Sequence, residues 1–600
     1  MTSSTSPASS EYDIIFAGGG PCSCIAAVRL LQADPKLRIL IIEIGSLTHN
    51  VDHHLQPGVA IRQVFNPDVF HFQVGNPSEA LGGRSPIILS GKTVGGGSSV
   101  NFMVYTRGSA SDYEDWEKHG NPGWGPDSII PLFKKVETYQ EEDTNGTHGT
   151  SGPIKVSFAP DMITVGNDFL EAGKIYDKER GSTDDVNGFY EVNKYGRWGR
   201  FIDKVTGKRS DVPHHYLYDT PEFSTLAILT KSIVESVIIE NGRAVGVKYQ
   251  SLEDPEGATV SVRASKFVVL GAGAFGSPAI LERSGIGAAN VLKEHDIAQI
   301  VDLPGVGQNY MDHMIIYSYY RGSPEIESLD EIFYGGPEQL EPHIKVWKET
   351  GQGLISHNAI DAGIKIRPNA EDLRSMSPHL DERWESFYAG APDKPLTIFW
   401  PMSAHLGAPP PSFDHKFFTL SALLCYPEAT GFVHISSKDP KARYNFHAGF
   451  LDSTADIVAL RWSYKKLREL GRRMPCYRGE EPTGHPAFKE TSAAAIVADD
   501  KPHSADEPNI VYTPEDDEII DDFLRARVST SWHSCGTCAM KPRDQGGVVD
   551  SRLNVYGVQG LKVADCSIFP GNVGANLYNT ALAIGEKSAQ LIAEDLGLVV

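Results

Sequence analysis

Disulfide frameworks are the first thing this sequence lacks. Its seven cysteines (Cys22, Cys24, Cys425, Cys476, Cys535, Cys538 and Cys566) are few for 600 residues and odd in number, which excludes a cysteine-stapled secreted scaffold and fits a reducing compartment. Long apolar runs are missing as well. The longest candidates, "RILIIEIG" and "KFVVLGAG", are strand-sized and far from the roughly 20 residues that a bilayer demands. Positive charge is in deficit, with 55 Lys and Arg against 77 Asp and Glu and a formal charge of −22. Such a field repels nucleic acid and anionic membrane surfaces alike, so neither is expected as a partner. The first residues, "MTSSTSPASSEYD", have no basic n-region and no apolar h-region, and the last, "DLGLVV", match no peroxisomal or endoplasmic-reticulum address. The expected location is therefore cytoplasmic, and the "NGT" sequon at Asn145 is expected to stay unmodified. Low complexity is confined to residues 1–10, expected to form a disordered tail.

What is present describes a loop-rich globular chain, with 40% apolar and 22% charged residues, 58 Gly and 38 Pro. Its length exceeds what one core supports, so at least two domains are expected. "EYDIIFAGGGPCSCIAAVRLLQADP" reads as a strand, a glycine turn and a helix that stops at Asp34-Pro35. "LRILIIEIG" is the next strand, and the βαβ unit so formed predicts a parallel sheet. The chain revisits this sheet. "IENGRAVGVKY" reads as a hairpin about Asn-Gly, "SKFVVLGAGAFGSPAIL" as a strand entering a helix, and "GLKVADCSIFP" as a further strand. In "NTALAIGEKSAQLIAEDLG", Ala581, Ile584, Ser588 and Leu591 form a stripe at helical spacing. The intervening stretches, richer in aromatics, Pro and His, read as a second, mixed α+β domain. The expected division is a discontinuous dinucleotide-binding domain of residues 11–160, 226–312 and 528–600, interleaved with a substrate-binding domain of 161–225 and 313–527.

Gly18, Gly20 and the place of Ser23 fill a Gly-x-Gly-x-x-Gly frame between strand and helix. The first glycine permits the tight turn, and the second lets main-chain N–H groups approach a pyrophosphate at the positive helix end. Ser23 stands where the third glycine would be, so the helix is expected to sit slightly farther from the strand. Glu43 closes the next strand at the spacing of a carboxylate that accepts hydrogen bonds from an adenosine ribose. A lone frame is also compatible with a tight structural turn, and it does not separate NAD from FAD. Gly95, Gly97 and Ser98 belong to "GKTVGGGSSVNFMVYTRG", a second glycine-rich stretch whose amides can approach a flat ring or a phosphate, with Asn101 able to hydrogen-bond it.

With these motifs together the chain resembles the glucose-methanol-choline (GMC) family of FAD-dependent oxidoreductases. "GKTVGGGSSVN" is similar to that family's first signature and "GAFGSPAILERSGIG" to its second; "DLPGVGQNYMDH" resembles its following segment, and "VADCSIFP" with "NVGANLYNTALAIGEK" its C-terminal block. Within the family the likeness is greatest to the fungal alcohol (methanol-type) oxidases, in "WHSCGTCAM", "YTPEDDE" and "GGVVDSRLNVYGVQGLKVAD". The chain departs from that branch in a shorter segment before "YTPEDDE" and in ending "GLVV", so neither methanol nor a peroxisomal assembly is carried over, and the oligomeric state is left open. The resemblance implies an FAD-binding Rossmann-like α/β domain, with an interleaved α+β domain built on an antiparallel sheet. It implies FAD contacts from the residues above and from Phe102, Met103, Val104, Asp565, Asn576 and Thr580. Val100 occupies the place where some members attach FAD covalently through histidine, so a non-covalent flavin is expected.

Oxidising an alcohol with a flavin calls for a base near the hydroxyl as hydride passes to N5, and histidine is the natural candidate. The resemblance puts the catalytic histidine at His533, with Asn576 as the partner of the developing alkoxide and O2 as the acceptor that leaves as H2O2. Phe102 and Trp532 are expected to wall the substrate pocket, and His313, after Asp312, to be structural. Four other readings compete. A zinc site at His533, Cys535 and Cys538 lacks a second paired set. A redox Cys-x-x-Cys would open a helix, whereas Gly536-Thr537 and Pro542 predict an extended segment. A flavin dehydrogenase using a quinone, or a hydroxynitrile-lyase-like protein, would share the fold but not produce peroxide from alcohols.

Overall fold

The computed structural model of the chain describes residues 11–218, 223–254, 257–407, 409–410, 413, 415–496 and 500–599; the tail expected at 1–10 lies outside the described residues. The first sheet has seven strands: β1 (Glu11–Ala17), β2 (Ile39–Ile42), β3 (Leu226–Leu229), β4 (Ser232–Glu240), β5 (Arg243–Ser251), β6 (Val260–Leu270) and β7 (Leu561–Val563). Their order is β3-β2-β1-β6-β5-β4, with β7 on the far part of β6. All pairings from β3 to β7 through β1 and β6 are parallel, while β5 and β4 extend the sheet as an antiparallel arm. The hairpin of that arm turns at Asn241 and Gly242, φ 52° and 76°, the pair of positive values that an Asn-Gly turn supplies at low cost.

Helix α1 (Pro21–Ala33) starts directly after Gly20 with proline in its first turn, where the missing N–H costs nothing. Gly18 lies at φ +111°, and a Cβ there would fall 2.3 Å from the Gly271 carbonyl oxygen at the end of β6. The ends of β1 and β6 therefore meet only because this residue is glycine. Ser23, where a wider gap between helix and strand was expected, faces a neighbour that has no side chain. Its Oγ is buried without a hydrogen-bond partner, and it occupies the place a side chain would take at Gly271, whose added Cβ would lie 2.0 Å from it. The glycine missing from the helix stands just past the neighbouring strand β6 instead. Helix α2 (Gly273–Arg283) follows β6, and helix α3 (Tyr578–Leu596) packs on α1. In α3 the predicted stripe Ala581, Ile584, Ser588 and Leu591 is buried, and Gly585 lets Ile25 approach so closely that a Cβ would sit 2.9 Å from it. Each such fully buried aliphatic side chain contributes about 1.5–3 kcal/mol.

The second sheet is antiparallel throughout. Its strands run in the order Tyr477–Glu480, Met314–Gly322, Lys416–Leu424, Thr397–Met402, Ala362–Ile366 and Tyr195–Arg197, with Ser529–Thr530 pairing the start of Met314–Gly322. Strand Lys416–Leu424 is buried almost throughout because helix Thr454–Arg472 packs against it. Each sheet has its own apolar core. No helix among the described residues is long and apolar enough to cross a membrane.

Candidate active site

Between the two sheets lies a cavity of about 960 Å³ whose walls differ in chemistry. The first sheet and its turns line it with Ala17, Gly18, Gly20, Glu43, Gly97, Gly271 and Gly273, a surface made largely of main chain. The second sheet contributes Ile315, Tyr317, Trp400, Met402 and Leu423, none of them charged.

At the glycine-lined end Glu43 is buried, accepting hydrogen bonds from Gly19 N–H and Gly45 N–H, both at 2.8 Å. Burial pushes its pKa up to about 7 in spite of those two bonds, which favour the charged form. A Cβ added at Gly97 or Gly273 would meet no protein atom within 4 Å, so both positions leave open space on the cavity wall. The second glycine-rich loop is tied to the first turn by Gly95 N–H donating to the Gly19 carbonyl at 2.7 Å. Asn101 accepts at Oδ1 from Met103 N–H (2.9 Å) and from Arg209 (3.0 Å), which leaves its amide N–H groups for the cavity. Met103 is held at φ +56° there, an uncommon conformation outside glycine that the surrounding bonds must sustain.

Of the residues expected to touch a cofactor, Gly18, Gly20, Glu43, Gly97, Ser98, Asn101, Phe102, Met103, Val104, Asp565 and Asn576 line the cavity. Ser23, Gly95 and Thr580 stand behind the wall. Ser23 faces Gly271; Gly95, at φ +92°, turns towards Ser99 and Pro213; Thr580 Oγ1 lies 3.0 Å from the Tyr113 hydroxyl and ties α3 to the core. Asp565 lines the cavity, but its carboxylate is engaged by the protein. It accepts from Gly273 N–H (2.8 Å), Ser277 Oγ (2.6 Å) and Ser567 N–H (2.8 Å), anchoring the start of α2.

The opposite corner is made of side chains. Pairing of Ser529–Thr530 with Met314–Gly322 brings Ser531–Ser534 alongside Met311–His313. Asp312, buried between them, accepts from Thr530 Oγ1 (2.5 Å), His313 N–H (2.7 Å), His533 N–H (2.9 Å) and Tyr310 OH (3.1 Å). Trp532 is held at φ +60°, its N–H donating to Thr530 Oγ1 at 2.6 Å. The next side chain, His533, is thereby half-buried on the cavity wall. Its Nε2 lies 3.2 Å from Asn576 Nδ2 and its Nδ1 2.8 Å from Nδ1 of His313. Burial carries the His533 pKa well below the usual histidine range, and the adjoining His313 ring opposes a second charge. Phe102 and Trp532 stack with centroids 5.7 Å apart, both on the cavity wall.

Asn576 is oriented by Thr106. The Asn576 N–H donates to Thr106 Oγ1 at 2.8 Å, and the threonine hydroxyl donates to Asn576 Oδ1 at 2.8 Å. With Oδ1 engaged, Nδ2 must face His533. A hydroxyl placed between the two could donate to Nε2 and accept from Nδ2, a base and an anion stabiliser in one place. Cys535 and Cys538 are fully buried free thiols on an irregular segment, and among the described residues no group of three or more His, Cys, Asp or Glu is placed to hold a metal ion.

Sequence reasoning missed Thr106, Arg209 and Asp312, and it gave no sign of the contact between His313 and His533. Arg209 is buried and braces the glycine-rich loop through the carbonyls of His54 (2.8 Å) and Asn101 (2.7 Å). Only Asp312-His313 carried a local signal, two polar residues leading into the apolar run "MIIY"; Thr106 and Arg209 carried none.

GMC oxidoreductase family models match residues 12–315 and 427–585. Alcohol oxidase from Pichia angusta is 38% identical over 98% of this chain and 95% of its own length. Alcohol oxidase from Candida boidinii is 37% identical with the same coverage. Among solved structures, an FAD-dependent oxidoreductase from Chaetomium thermophilum superposes with a TM-score of 0.80, at 25% identity, over 98% of this chain and 100% of that one.

Proposed function

The chain belongs to the GMC oxidoreductase family, and from that premise we propose that it is an FAD-dependent alcohol oxidase, converting a primary alcohol to the aldehyde and O2 to H2O2. The observation that carries this reading is the His533–Asn576 pair, 3.2 Å apart on a cavity whose other end is lined with glycine. The cradle fits a dinucleotide: Gly97 and Gly273 leave open space on the cavity wall, and the buried Glu43 carboxylate lies on it. Gly18, Gly20, Glu43, Gly97, Ser98 and Asn101 would hold the FAD without a covalent bond, since Val100 offers no nucleophile. When bound, FAD supplies the acceptor for the substrate's hydride and passes the electron pair to O2.

The chain's own residues do the rest. Neutral His533 takes the hydroxyl proton at Nε2, and Asn576 Nδ2–H donates to the oxygen as negative charge develops on it. A donor so placed is typically worth about 3 kcal/mol of barrier. The wall of Ile315, Tyr317, Trp400, Met402 and Leu423 carries no charge and fits a neutral alcohol with an apolar body. The free cysteines support a cytoplasmic setting.

The test is anaerobic mixing of the yellow protein with a panel of straight-chain, aromatic and cationic alcohols, followed by air. Bleaching by a neutral primary alcohol, with recovery in air and stoichiometric peroxide, is the expected outcome. Recovery only with an added quinone would make the protein a dehydrogenase, and no bleaching by any alcohol would overturn the reading.

A further inference from the structure

We propose that His313 is a positioning residue for this reaction, accepting the Nδ1 proton of His533 so that Nε2 stays free for the proton of the alcohol. The inference rests on the reading of His533 as the base. Its starting point is the 2.8 Å contact between the two Nδ1 atoms. Two ring nitrogens at that distance share one proton, so one donates and the other accepts.

Which one donates follows from the far side of each ring. Thr106 fixes the Asn576 amide with Oδ1 turned away and Nδ2–H towards His533 Nε2. Nε2 is therefore the acceptor on that side, and neutral His533 carries its proton on Nδ1. His313 Nδ1 must then be unprotonated, with its own proton on Nε2. Nε2 of His313 is sealed from solvent and makes no hydrogen bond, so no acceptor or donor there competes with the assignment made at Nδ1.

The surroundings also keep His313 neutral. Its side chain is fully buried. Asp312, the carboxylate beside the pair among the described residues, is engaged by four donors and makes no bond to either ring. The other titratable groups around the pair are Tyr310, bonded to Asp312 and Ser534, and the buried thiols of Cys425 and Cys535. None supplies a counter-charge, because burial raises all three above their ordinary range. When the alcohol O–H bond breaks and the Nε2–H bond forms, the positive charge stays on His533, whose Nδ1–H keeps donating to His313. Without that acceptor, Nδ1–H has no partner, and moving the proton to Nε2 would set it against the Asn576 N–H.

His313→Leu removes the acceptor, and His313→Asn restores one, since its Oδ1 reaches the place of Nδ1. With FAD content and Tm as controls for folding, the leucine variant should reduce its flavin about 100-fold more slowly, towards the low end of what a positioned general base contributes, and the asparagine variant within about fivefold of wild type. The second readout is the ¹⁵N spectrum of histidine-labelled protein, with His533 assigned by its loss in His533→Gln. It should show protonated Nδ1 and bare Nε2 in the wild type and the asparagine variant. A leucine variant as fast as wild type, or a wild-type spectrum with the His533 proton on Nε2, would overturn the inference; the spectrum decides it if the leucine variant does not fold. Full flavin reduction by His533→Ala would instead sink the base reading, leaving the two failures distinguishable.

Discussion

The two ends of the cavity are built from different material. The glycine-lined end is main chain, supplied by short runs in which each turn is set by its own residues: Gly18 to Gly20, Gly95 to Ser98 and Gly271 to Gly273. The other end is side chains drawn from four distant stretches, Thr106, Asp312-His313, Thr530 to His533 and Asn576. A main-chain cradle depends on what is absent from its residues, namely a Cβ. A side-chain constellation depends on the presence of particular atoms and on the partners that aim them.

Damage should therefore take different forms at the two ends, and four measurements sharpen the contrast. The largest effect is expected from Gly18→Val. A branched side chain at φ +111°, with Cβ 2.3 Å from the Gly271 oxygen, costs several kcal/mol, roughly the sum of a strained conformer and an overpacked core site. The purified variant should carry almost no flavin, and a full complement by absorbance ratio would break the comparison. His533→Ala comes next, with normal flavin content but reduction by alcohol slower by about 1000-fold, within the range for a lost general base. Loss of the flavin as well would mean that the corner also builds the cradle.

Thr106→Val is milder. It frees the Asn576 amide to rotate, and one lost hydrogen bond of about 1–1.5 kcal/mol corresponds to roughly a tenfold drop in kcat/KM; an unchanged value would show that Asn576 is aimed by something else. The smallest expected change is in the wild type on mild acidification. An ordinary histidine would be about three-quarters protonated at pH 6 and lost as a base. The His533 pKa is lowered, so the ring stays neutral as pH falls through that range, and kcat/KM at pH 6 should match that at pH 7.5. An acid limb centred near 6.5 would contradict the burial described above.

The same contrast explains how much was legible beforehand. β1, α1, β2 and the Asn241-Gly242 hairpin follow from local patterning, because strand alternation, a glycine turn and a proline at a helix start act over a few residues. Glu43 and the paired glycine loops belong to the same class. His533 and Asn576 were reached through resemblance, not through any spacing between them. The contact of His313 with His533 was not legible, because a histidine beside an aspartate looks alike whether its ring meets the core or another ring. The surroundings of Ser23 were hidden for a related reason, since the residue that makes room for it, Gly271, follows a strand far away in the chain.

By itself the sequence determined the elements and the chemistry available to them. Strand and helix periodicity, turn residues and the positions without Cβ are properties of neighbouring residues, and they act before the chain is compact. Only the tertiary structure decided which nitrogen of His533 faces the cavity. Its Nε2 meets Asn576, itself tied to Thr106, on one side and its Nδ1 meets His313 on the other, and hydrogen bonds between side chains so far apart in the chain form only once both sheets have packed.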